Sequence, residues 1–378
     1  MDNSSTSFPK APGLGKIMGE HIDQSGMNMG RGGYSASFHL EQIAVETKEK
    51  LCAFFNGTHS RNVIFTSGAT LGLNMIINGL LEPGDRVVTT SVEHNAVARP
   101  LHVLTKKGVH WERFPSAPDG SLLMEDIPMT LAPQTKLVIA THASNVSGSL
   151  ISLGPIAEFC NKHHIFFVVD GAQTAGSQTM DMAALGLDGL VVPGHKSLLG
   201  PQGIGALILS DRLAAALHPT VLGGTGSRSD LLEMPDFLPD RFEPGTLNIP
   251  GIVGLNYALT FLMEQGVETI RDQKELLSQR FLEGLSVIDE VRLIGPGMGM
   301  PRESVFSLVF NHRDQGETAF LLERDYGILT RSGLHCAPLA HQALGTFPQG
   351  SVRFSFGYFT TAVEVDAALL AIQKIAAR

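Results

Sequence analysis

The chain has 378 residues, of which 43% are hydrophobic and 17% are charged, a composition typical of a folded globular protein. Its formal charge is -9, without a long run of like charges, which argues against nucleic acid or an anionic membrane as the main partner. Cys52, Cys160 and Cys336 are too few and too widely spaced for a disulfide framework. With no secretory signal or membrane-length apolar run in the sequence, we expect a cytoplasmic protein.

The pattern of apolar residues predicts a large α/β domain. Between about residues 40 and 210, short β-branched runs alternate with segments of helical period, such as 69–80 and 153–163. Continuous apolar strands separated by helices are typical of a mostly parallel sheet covered by helices on both faces. The predicted strands are 62–66, 86–90, 136–141, 165–170, 189–192 and 205–209.

The rest of the chain predicts a smaller α+β domain. Residues 211–250 are rich in Gly, Pro, Asp and Ser and are predicted to form an extended crossing segment. Helical stretches follow from 252, with strands near 291–295, 304–310 and 351–356 and a closing helix from 360. The predicted domains are a large one over 11–250 and a small one over 251–378, with residues 1–10 near the functional site or the small domain.

An acid and a lysine follow two successive predicted strands. Asp170 ends "IFFVVD", and Lys196 lies in "PGHKS" directly after "GLVV". Ligands of parallel sheets bind outside the carboxyl ends of the strands, where we expect both side chains. A buried carboxylate needs a cationic partner, which is either Lys196 in a plain ion pair or a cofactor lying between them. Pyridoxal phosphate fits the second case, because it needs a lysine for a Schiff base and an acid at its pyridine nitrogen.

The stretch "FTSGATLGLN", residues 65–74, is suited to the phosphate of such a cofactor. Small residues between a strand and a helix let backbone N–H groups approach an anion, and a helix N-terminus favours negative charge. Glycines also flank Lys196, and we expect them to make room for the cofactor. A nicotinamide-binding domain is excluded, because this turn lacks the G-x-G-x-x-G spacing.

A series of short motifs makes the sequence similar to a known family. In chain order they are "DNSSTSFPK", "GRGGY", "FTSGAT", "EHNA", "SNVSG", "DGAQ", "GHK", "RFEPGT" and "RSGLHCAP". They resemble the class V aminotransferase-like, fold-type I family of pyridoxal-phosphate enzymes, and within it the cysteine desulfurases and selenocysteine lyases. The resemblance runs nearly end to end. It implies the PLP-dependent transferase fold with a seven-stranded-type sheet, pyridoxal 5′-phosphate as cofactor, and a homodimer.

The resemblance implies which residues hold the cofactor. Lys196 would bind it covalently and later move the substrate proton, with Asp170 at the pyridine nitrogen. Gln173 would donate toward the phenolic oxygen, and His94 of "EHNA" would stack on the ring. The residues implied to hold the phosphate are Ala69, Thr70, His195 and, from the other subunit of the dimer, Thr246.

For the substrate, the resemblance implies that Arg353 in "SVRFSF" binds the α-carboxylate of an amino acid. Alternation along this predicted strand puts Arg353 on the face opposite Val352 and Phe354, and a guanidinium fork suits a carboxylate. Asn145 of "SNVSG" would assist near the same carboxylate and the ring. Arg31 of "GRGGY" matches a further arginine that family members bring to the site.

Cys336 in "RSGLHCAP" points to the reaction. In cysteine desulfurases with this pattern, the thiolate takes the sulfur of L-cysteine as a persulfide and leaves L-alanine, and a sulfur-acceptor protein is a possible partner. A thiol needs cationic or dipolar help to act as a nucleophile, and Arg331 and His335 are near in sequence. Cys52 and Cys160 lie in helical segments and are predicted to be small buried residues.

The resemblance leaves other activities open. Selenocysteine lyase is closely related, and a different pyridoxal-phosphate lyase or aminotransferase on the same fold would leave Cys336 incidental. A non-catalytic sulfur carrier or interaction platform would keep the fold, although the intact Lys196, Asp170 and His94 argue against it. A zinc site is a further alternative, with His335, Cys336 and His341 as the candidate ligands. The spacing of these three residues matches no recognised zinc signature.

Pro193 is a departure from the family pattern. The better-known desulfurases carry Ser or Thr at this place, three residues before the lysine, with a hydroxyl that donates to the phosphate. Proline has no such donor. Phosphate binding would then depend more on the 67–70 turn, His195 and Thr246.

Overall fold

The computed structural model describes residues 1–25, 27–29, 35–123, 125, 127–132 and 134–377. Within them the chain forms two β-sheets, one before residue 210 and one after residue 290. No helix in this described part is both long and apolar enough to cross a membrane. Arg31 of the predicted site lies outside the described residues.

The larger sheet has seven strands, β1 (Val63–Thr66), β2 (Arg86–Thr89), β3 (His110–Arg113), β4 (Thr135–Thr141), β5 (Phe166–Asp170), β6 (Gly189–Pro193) and β7 (Gly205–Leu209). Their order is β1-β7-β6-β5-β4-β2-β3. All strands from β6 to β3 in this order are parallel, and β7 is antiparallel to both of its neighbours. The prediction of a mostly parallel sheet is confirmed.

Helices cover both faces of this sheet. They are α1 (Leu14–Gln24), α2 (Ser35–Phe54), α3 (Ala69–Leu80), α4 (Asn95–Thr105), α5 (Ile127–Thr130), α6 (Leu153–Lys162), α7 (Met182–Leu185), α8 (Asp211–Ala216) and α9 (Ile249–Gln265). Along β5, Phe167 and Val169 join the core under α6 and α9, whereas Val168 joins the core under α3. A parallel strand is buried on both faces, which is why its sequence is apolar throughout.

The smaller sheet has four antiparallel strands, β8 (Val291–Ile294), β9 (Val305–Phe310), β10 (Arg331–Gly333) and β11 (Ser351–Ser355), in the order β10-β11-β9-β8. The helices of this region are α10 (Val267–Leu285), α11 (Gln315–Tyr326), α12 (Pro338–Ala343) and α13 (Ala362–Ala376). Phe306 and Phe354 pack on Phe281 of α10, with ring centroids 4.8 and 5.7 Å apart from it. Alternation therefore turns Arg353 of β11 to the opposite face.

Several boundaries differ from the prediction. The segment 211–250 begins with α8, and only the stretch from there to α9 lacks regular structure. Leu255 and Leu259 of α9 lie in the core of the larger sheet, although they follow residue 250. The division of the chain at that residue stays a prediction. β3 and β10 have no counterpart among the predicted strands.

Candidate active site

A cavity of about 320 Å³ lies at the carboxyl ends of β4, β5 and β6. Residues from both sheets and from the first residues of the chain line it. This is the edge at which parallel sheets bind ligands. Nine residues of the predicted site line it: Ala69, Thr70, His94, Asn145, Asp170, Gln173, His195, Lys196 and Arg353.

Asp170 and Lys196 both line the cavity. Asp170 is the last residue of β5 and only 3% exposed, and its Oδ1 accepts a hydrogen bond from the Ala172 N–H at 2.9 Å. Burial raises the pKa of Asp170, and burial lowers the pKa of Lys196 to about 8, against the attraction of Asp170. The two charges act on each other through space and form no direct ion pair among the described contacts. The choice between a plain ion pair and a cofactor that lies between the two residues stays a prediction.

The N-terminus of α3 opens into the same cavity. Gly68 precedes the helix with φ +147°, and no side chain caps the helix there. The backbone is crowded on one side, since a Cβ on Gly205 would lie 2.9 Å from the Gly68 Cα. Ser67 and Thr70, both exposed, line the cavity beside the uncapped N–H groups. Free backbone donors, small side chains and a helix N-terminus together suit an anion such as a phosphate.

His94 is positioned by helix α4. It is the N-cap residue, and its Nδ1 accepts a hydrogen bond from the Ala96 N–H at 3.0 Å. Burial, followed by the positive charges of Lys196 and Arg331, lowers the pKa of His94 to about 4. The ring is therefore neutral near pH 7, with its proton on Nε2. The capping bond fixes the orientation of a ring that lines the cavity.

His195 and Gln173 are held by the first residues of the chain. The His195 carbonyl accepts hydrogen bonds from the Thr6 hydroxyl at 3.1 Å and the Ser7 N–H at 3.0 Å. Gln173 donates from Nε2 to the Ser4 carbonyl at 3.4 Å. Burial lowers the pKa of His195 to about 4, and its buried Nδ1 has no partner among the described residues. Residues 1–10, hereafter the N-terminal segment, thus form part of the wall.

Two arginines lie side by side on the smaller sheet. Arg331 of β10 and Arg353 of β11 are paired residues in the antiparallel ladder, so their side chains share a face, and both line the cavity. Arg353 is 1% exposed and donates from Nη1 to the Asn145 carbonyl at 3.0 Å. Its Nη2 donates to Asp2 and Ser5, each at 2.8 Å. Burial lowers the pKa of Arg353, and Asp2 opposes that shift.

Cys336 lies in the loop between β10 and α12, where it is exposed. His335 and Cys336 have φ of +50° and +58°, a left-handed conformation that is strained for residues with a side chain. Two hydrogen bonds of 2.8 Å hold this pair, from the Asn145 amide to the His335 carbonyl and from the Asn95 N–H to the Cys336 carbonyl. Arg331 donates from Nη2 to the Cys336 Sγ at 3.0 Å.

Comparison with known proteins places the chain in a family. The family model described as Aminotransferase class-V matches residues 1–368. The chain belongs to this family. A protein named probable cysteine desulfurase, from Methanothermobacter thermautotrophicus, is 31% identical over 100% of this chain and 94% of its own length. The family predicted from the motifs is confirmed.

Solved structures of cysteine desulfurases share the fold. The apo structure from Thermococcus onnurineus NA1 has a TM-score of 0.93 and 28% identity, over 100% of this chain and 94% of that one. A cysteine desulfurase from Escherichia coli, solved with an S-sulfonic acid, has a TM-score of 0.88 and 25% identity, covering 99% and 93%. These matches confirm the PLP-dependent transferase fold for this class-V chain.

Some residues predicted for the class-V site do not line the cavity. Thr246 is exposed and lies outside it, and Cys336 does not line it but accepts a hydrogen bond from Arg331, which does. Among the other cysteines, Cys160 is buried as predicted. Cys52 is only half-buried, with its Sγ donating to the Gly57 carbonyl at 3.2 Å, so the prediction of a buried residue is wrong for it.

The side chains considered for zinc have other partners in this class-V chain. His335 Nε2 and the Ser351 hydroxyl are 2.9 Å apart, and His341 Nδ1 lies 2.6 Å from the Thr346 hydroxyl. Within the described residues, no three His, Cys, Asp or Glu side chains are grouped to hold a metal.

Sequence reasoning missed the contacts that Asp2 and Ser5 make with Arg353. These partners are 351 and 348 residues apart along the chain, and no local pattern indicates such a pair. The sequence also did not predict that Arg331 would line the cavity. The register of β10 against β11 would have shown it, since Arg331 is paired with Arg353.

Proposed function

We propose that this protein is a pyridoxal-phosphate-dependent cysteine desulfurase, which converts L-cysteine to L-alanine and keeps the sulfur on Cys336 as a persulfide. One observation carries the proposal: Arg331 lines the cavity and donates to the Cys336 Sγ at 3.0 Å. A guanidinium favours the thiolate, which is the nucleophilic form of a thiol. The contact joins the one exposed cysteine of the three to the cavity of Lys196.

The cavity residues fit pyridoxal phosphate. Among the described residues no cation is in direct contact with the buried Asp170 carboxylate, and a protonated pyridine nitrogen would satisfy it. The N-terminus of α3 and the hydroxyl of Thr70 suit the phosphate, and Lys196, which lines the same cavity, would hold the cofactor covalently. Bound there, the cofactor would supply an electron sink for the substrate carbon atoms.

The remaining residues act on the substrate. Arg353 would bind the α-carboxylate, with Asn145 beside it, because a guanidinium fork matches carboxylate geometry. The neutral ring of His94 would lie against the cofactor. Burial lowers the pKa of Lys196 to about 8, which lets its amine take or give a proton near neutral pH.

The sulfur transfer needs no outside oxidant. The Cys336 thiolate attacks the sulfur of L-cysteine, an S–S bond forms, and the bond between that sulfur and Cβ breaks. The electron pair of the broken bond stays with the carbon, which takes up a proton and becomes the methyl group of L-alanine. L-cysteine and one enzyme thiol thus give L-alanine and one enzyme persulfide.

We also infer a homodimer. Thr246 lies outside its own cavity, so the phosphate contact predicted for it would have to reach the cavity of a second copy. The preceding segment 221–237 exposes large apolar side chains, among them Leu222 at 70% and Leu232 at 102%. Apolar exposure of this kind is typical of protein interfaces. Analytical ultracentrifugation at micromolar concentration checks the inference, and a monomer would contradict it.

We place the protein in the cytoplasm, because its three cysteines are all free and a persulfide survives best where oxidants are scarce. The exposure of Cys336 leaves its sulfur open to a sulfur-acceptor protein. L-cysteine and such an acceptor are the partners that the proposal requires.

The test is alanine formation from L-cysteine by the cofactor-loaded protein with dithiothreitol, measured together with sulfide. We expect equal amounts of both products, a loss to background in Cys336→Ala, and near wild-type rates in the matched control Cys52→Ala. Lys196→Ala should also be inactive. Alanine made equally well by Cys336→Ala would overturn the proposal, and L-selenocysteine tested in parallel would then identify a lyase that does not need Cys336.

A further inference from the structure

The donors of Arg353 are already in use in the structure. A guanidinium binds a carboxylate through one of two forks, Nε with Nη2 or Nη1 with Nη2, and each fork therefore needs one Nη2 hydrogen. In Arg353 the Nη2 donates to Asp2 Oδ1 at 2.8 Å and to the Ser5 hydroxyl at 2.8 Å. Both Nη2 hydrogens are thus occupied, while the buried Nε has no partner within the part of the chain that the structure describes.

Asp2 supplies the negative charge in this arrangement. Arg353 is 1% exposed and Asp2 is 28% exposed, so the ion pair is well shielded from water on the arginine side. The backbone on either side of Asp2 follows β11: the Ser355 N–H donates to the Met1 carbonyl at 2.8 Å, and the Ser4 N–H donates to the Ser355 hydroxyl at 2.8 Å. These bonds hold the Asp2 carboxylate over the guanidinium.

We propose that Asp2 is an intramolecular stand-in for the substrate carboxylate, which a substrate must displace from Arg353 before the arginine can grip it with a full fork. This inference rests on the proposed function, because it takes Arg353 as the carboxylate-binding residue. Asp2 is then a positioning residue that sets the affinity for amino acids. It holds Arg353 through the ion pair and competes with each incoming α-carboxylate.

The proposal predicts that Asp2 affects the binding of ligands with a carboxylate and not the binding of ligands without one. L-alanine has the α-carboxylate and lacks the sulfur, whereas ethylamine is the same molecule without the carboxylate. Only L-alanine has to compete with Asp2. A change at Asp2 should therefore alter the ratio of the two affinities, which a general loss of stability would not do.

The experiment titrates the cofactor-loaded protein with each ligand and follows the absorbance of the bound cofactor. Asp2→Asn keeps an oxygen that can accept from Nη2 but removes the competing charge. We expect its dissociation constant for L-alanine to fall about five-fold and that for ethylamine to stay within two-fold of wild type. The comparison variant Ser5→Ala frees the other Nη2 hydrogen but leaves the Asp2 charge in place, so its dissociation constant for L-alanine should fall less than that of Asp2→Asn, and that for ethylamine should stay within about two-fold of wild type.

A second measurement uses the wild type alone, so it does not depend on the folding of a variant. L-alanine should speed hydrogen exchange of the backbone amides of residues 3–5, because the displaced Asp2 no longer ties them to Arg353. Ethylamine should not. Unchanged or weaker binding of L-alanine by Asp2→Asn, or slower exchange on adding L-alanine, overturns this inference alone. A wild type that binds neither ligand overturns the proposed function and this inference with it.

Discussion

Replacing Lys274 by methionine should destabilise the protein by about 3–5 kcal/mol, because it leaves a buried carboxylate without its cation. Lys274 of α10 forms an ion pair with Glu303, and their side chains are 7% and 2% exposed. The other Glu303 oxygen accepts from the Ser177 hydroxyl at 3.1 Å and from Gln178 Nε2 at 3.3 Å. Glu303 thereby joins α10 to the segment that follows Asp170.

The pH dependence of this loss follows from the same contacts. Burial alone would raise the pKa of Glu303, but the charge and hydrogen bonds of Lys274, with those of Ser304 and Gln178, lower it overall. In wild type the pair therefore still stabilises the fold at pH 5. In Lys274→Met the charge of Lys274 is gone while the burial remains, so Glu303 takes up a proton more easily as the pH falls. We expect the loss at pH 5 to be smaller than at pH 8.

The assay is urea unfolding followed by circular dichroism at both pH values, with two comparison variants. Lys136→Met breaks the ion pair between Lys136 and Asp85, whose atoms are 2.7 Å apart and whose side chains are 31% and 22% exposed. Because this pair is more exposed to water, its loss should lower the free energy of unfolding by at most about 1 kcal/mol. Lys274→Met combined with Glu303→Gln should recover much of the loss. If Lys274→Met costs no more than Lys136→Met, the reasoning about burial is wrong.

Three further predictions concern the site. The rate at which the apoprotein binds pyridoxal phosphate covalently should rise with pH and level off above about pH 8, where the Lys196 amine is neutral. A rate that levels off only near the ordinary pKa of a lysine would contradict this prediction. Arg331→Gln should slow alkylation of Cys336 by iodoacetamide roughly ten-fold, with Arg331→Lys between it and wild type in peptide mass spectra. Gly176→Ala should cost about 2 kcal/mol or more in urea unfolding, since Gly176 has φ +95° and its Cβ would lie 2.5 Å from the Ser197 carbonyl oxygen; near-wild-type stability would refute this.

In the larger sheet, the strands that the sequence predicts are those buried wholly or almost wholly on both faces. β5 and β6 are continuous apolar runs, and the structure places them within one residue of the predicted bounds. β3, at the sheet edge, reads "HWER" and has a mostly exposed pattern, so no apolar run reveals it. β10 is three residues long and reads "RSG". Its pairing with β11 depends on tertiary packing rather than on local preference.

In the candidate site, too, some features can be predicted from the sequence and others cannot. The rule that ligands bind at the carboxyl ends of parallel strands predicts Asp170 and Lys196 at one edge, and both line the cavity. The contacts of Arg353 with Asp2 and of His195 with Ser7 join residues that are more than 180 positions apart. Such contacts leave no periodic signal in the sequence, because they exist only after both sheets and the N-terminal segment have packed.

The glycines around Lys196 serve a different purpose from the one expected. A Cβ on Gly194 would lie 2.9 Å from the Ile204 carbonyl oxygen, and one on Gly200 would lie 2.9 Å from the Gly194 carbonyl oxygen. They make room for neighbouring backbone, which folds the lysine turn back on itself. The peptide before Lys196 is then held by the N-terminal segment, whose Thr6, Ser7 and Lys10 all donate to the His195 carbonyl.

These hydrogen bonds to the His195 carbonyl help to explain how the chain tolerates Pro193, which stands where family members carry a Ser or Thr hydroxyl. Pro193 ends β6 and lines the cavity, where it offers no hydrogen-bond donor. A hydroxyl at this place would help to fix the phosphate, but it would do little to fix the lysine. In this chain the position of Lys196 depends on hydrogen bonds that residues nearly 190 positions earlier donate to the His195 carbonyl. The lysine turn and the carboxylate-binding arginine therefore share one support, the N-terminal segment, which links cofactor position to substrate binding.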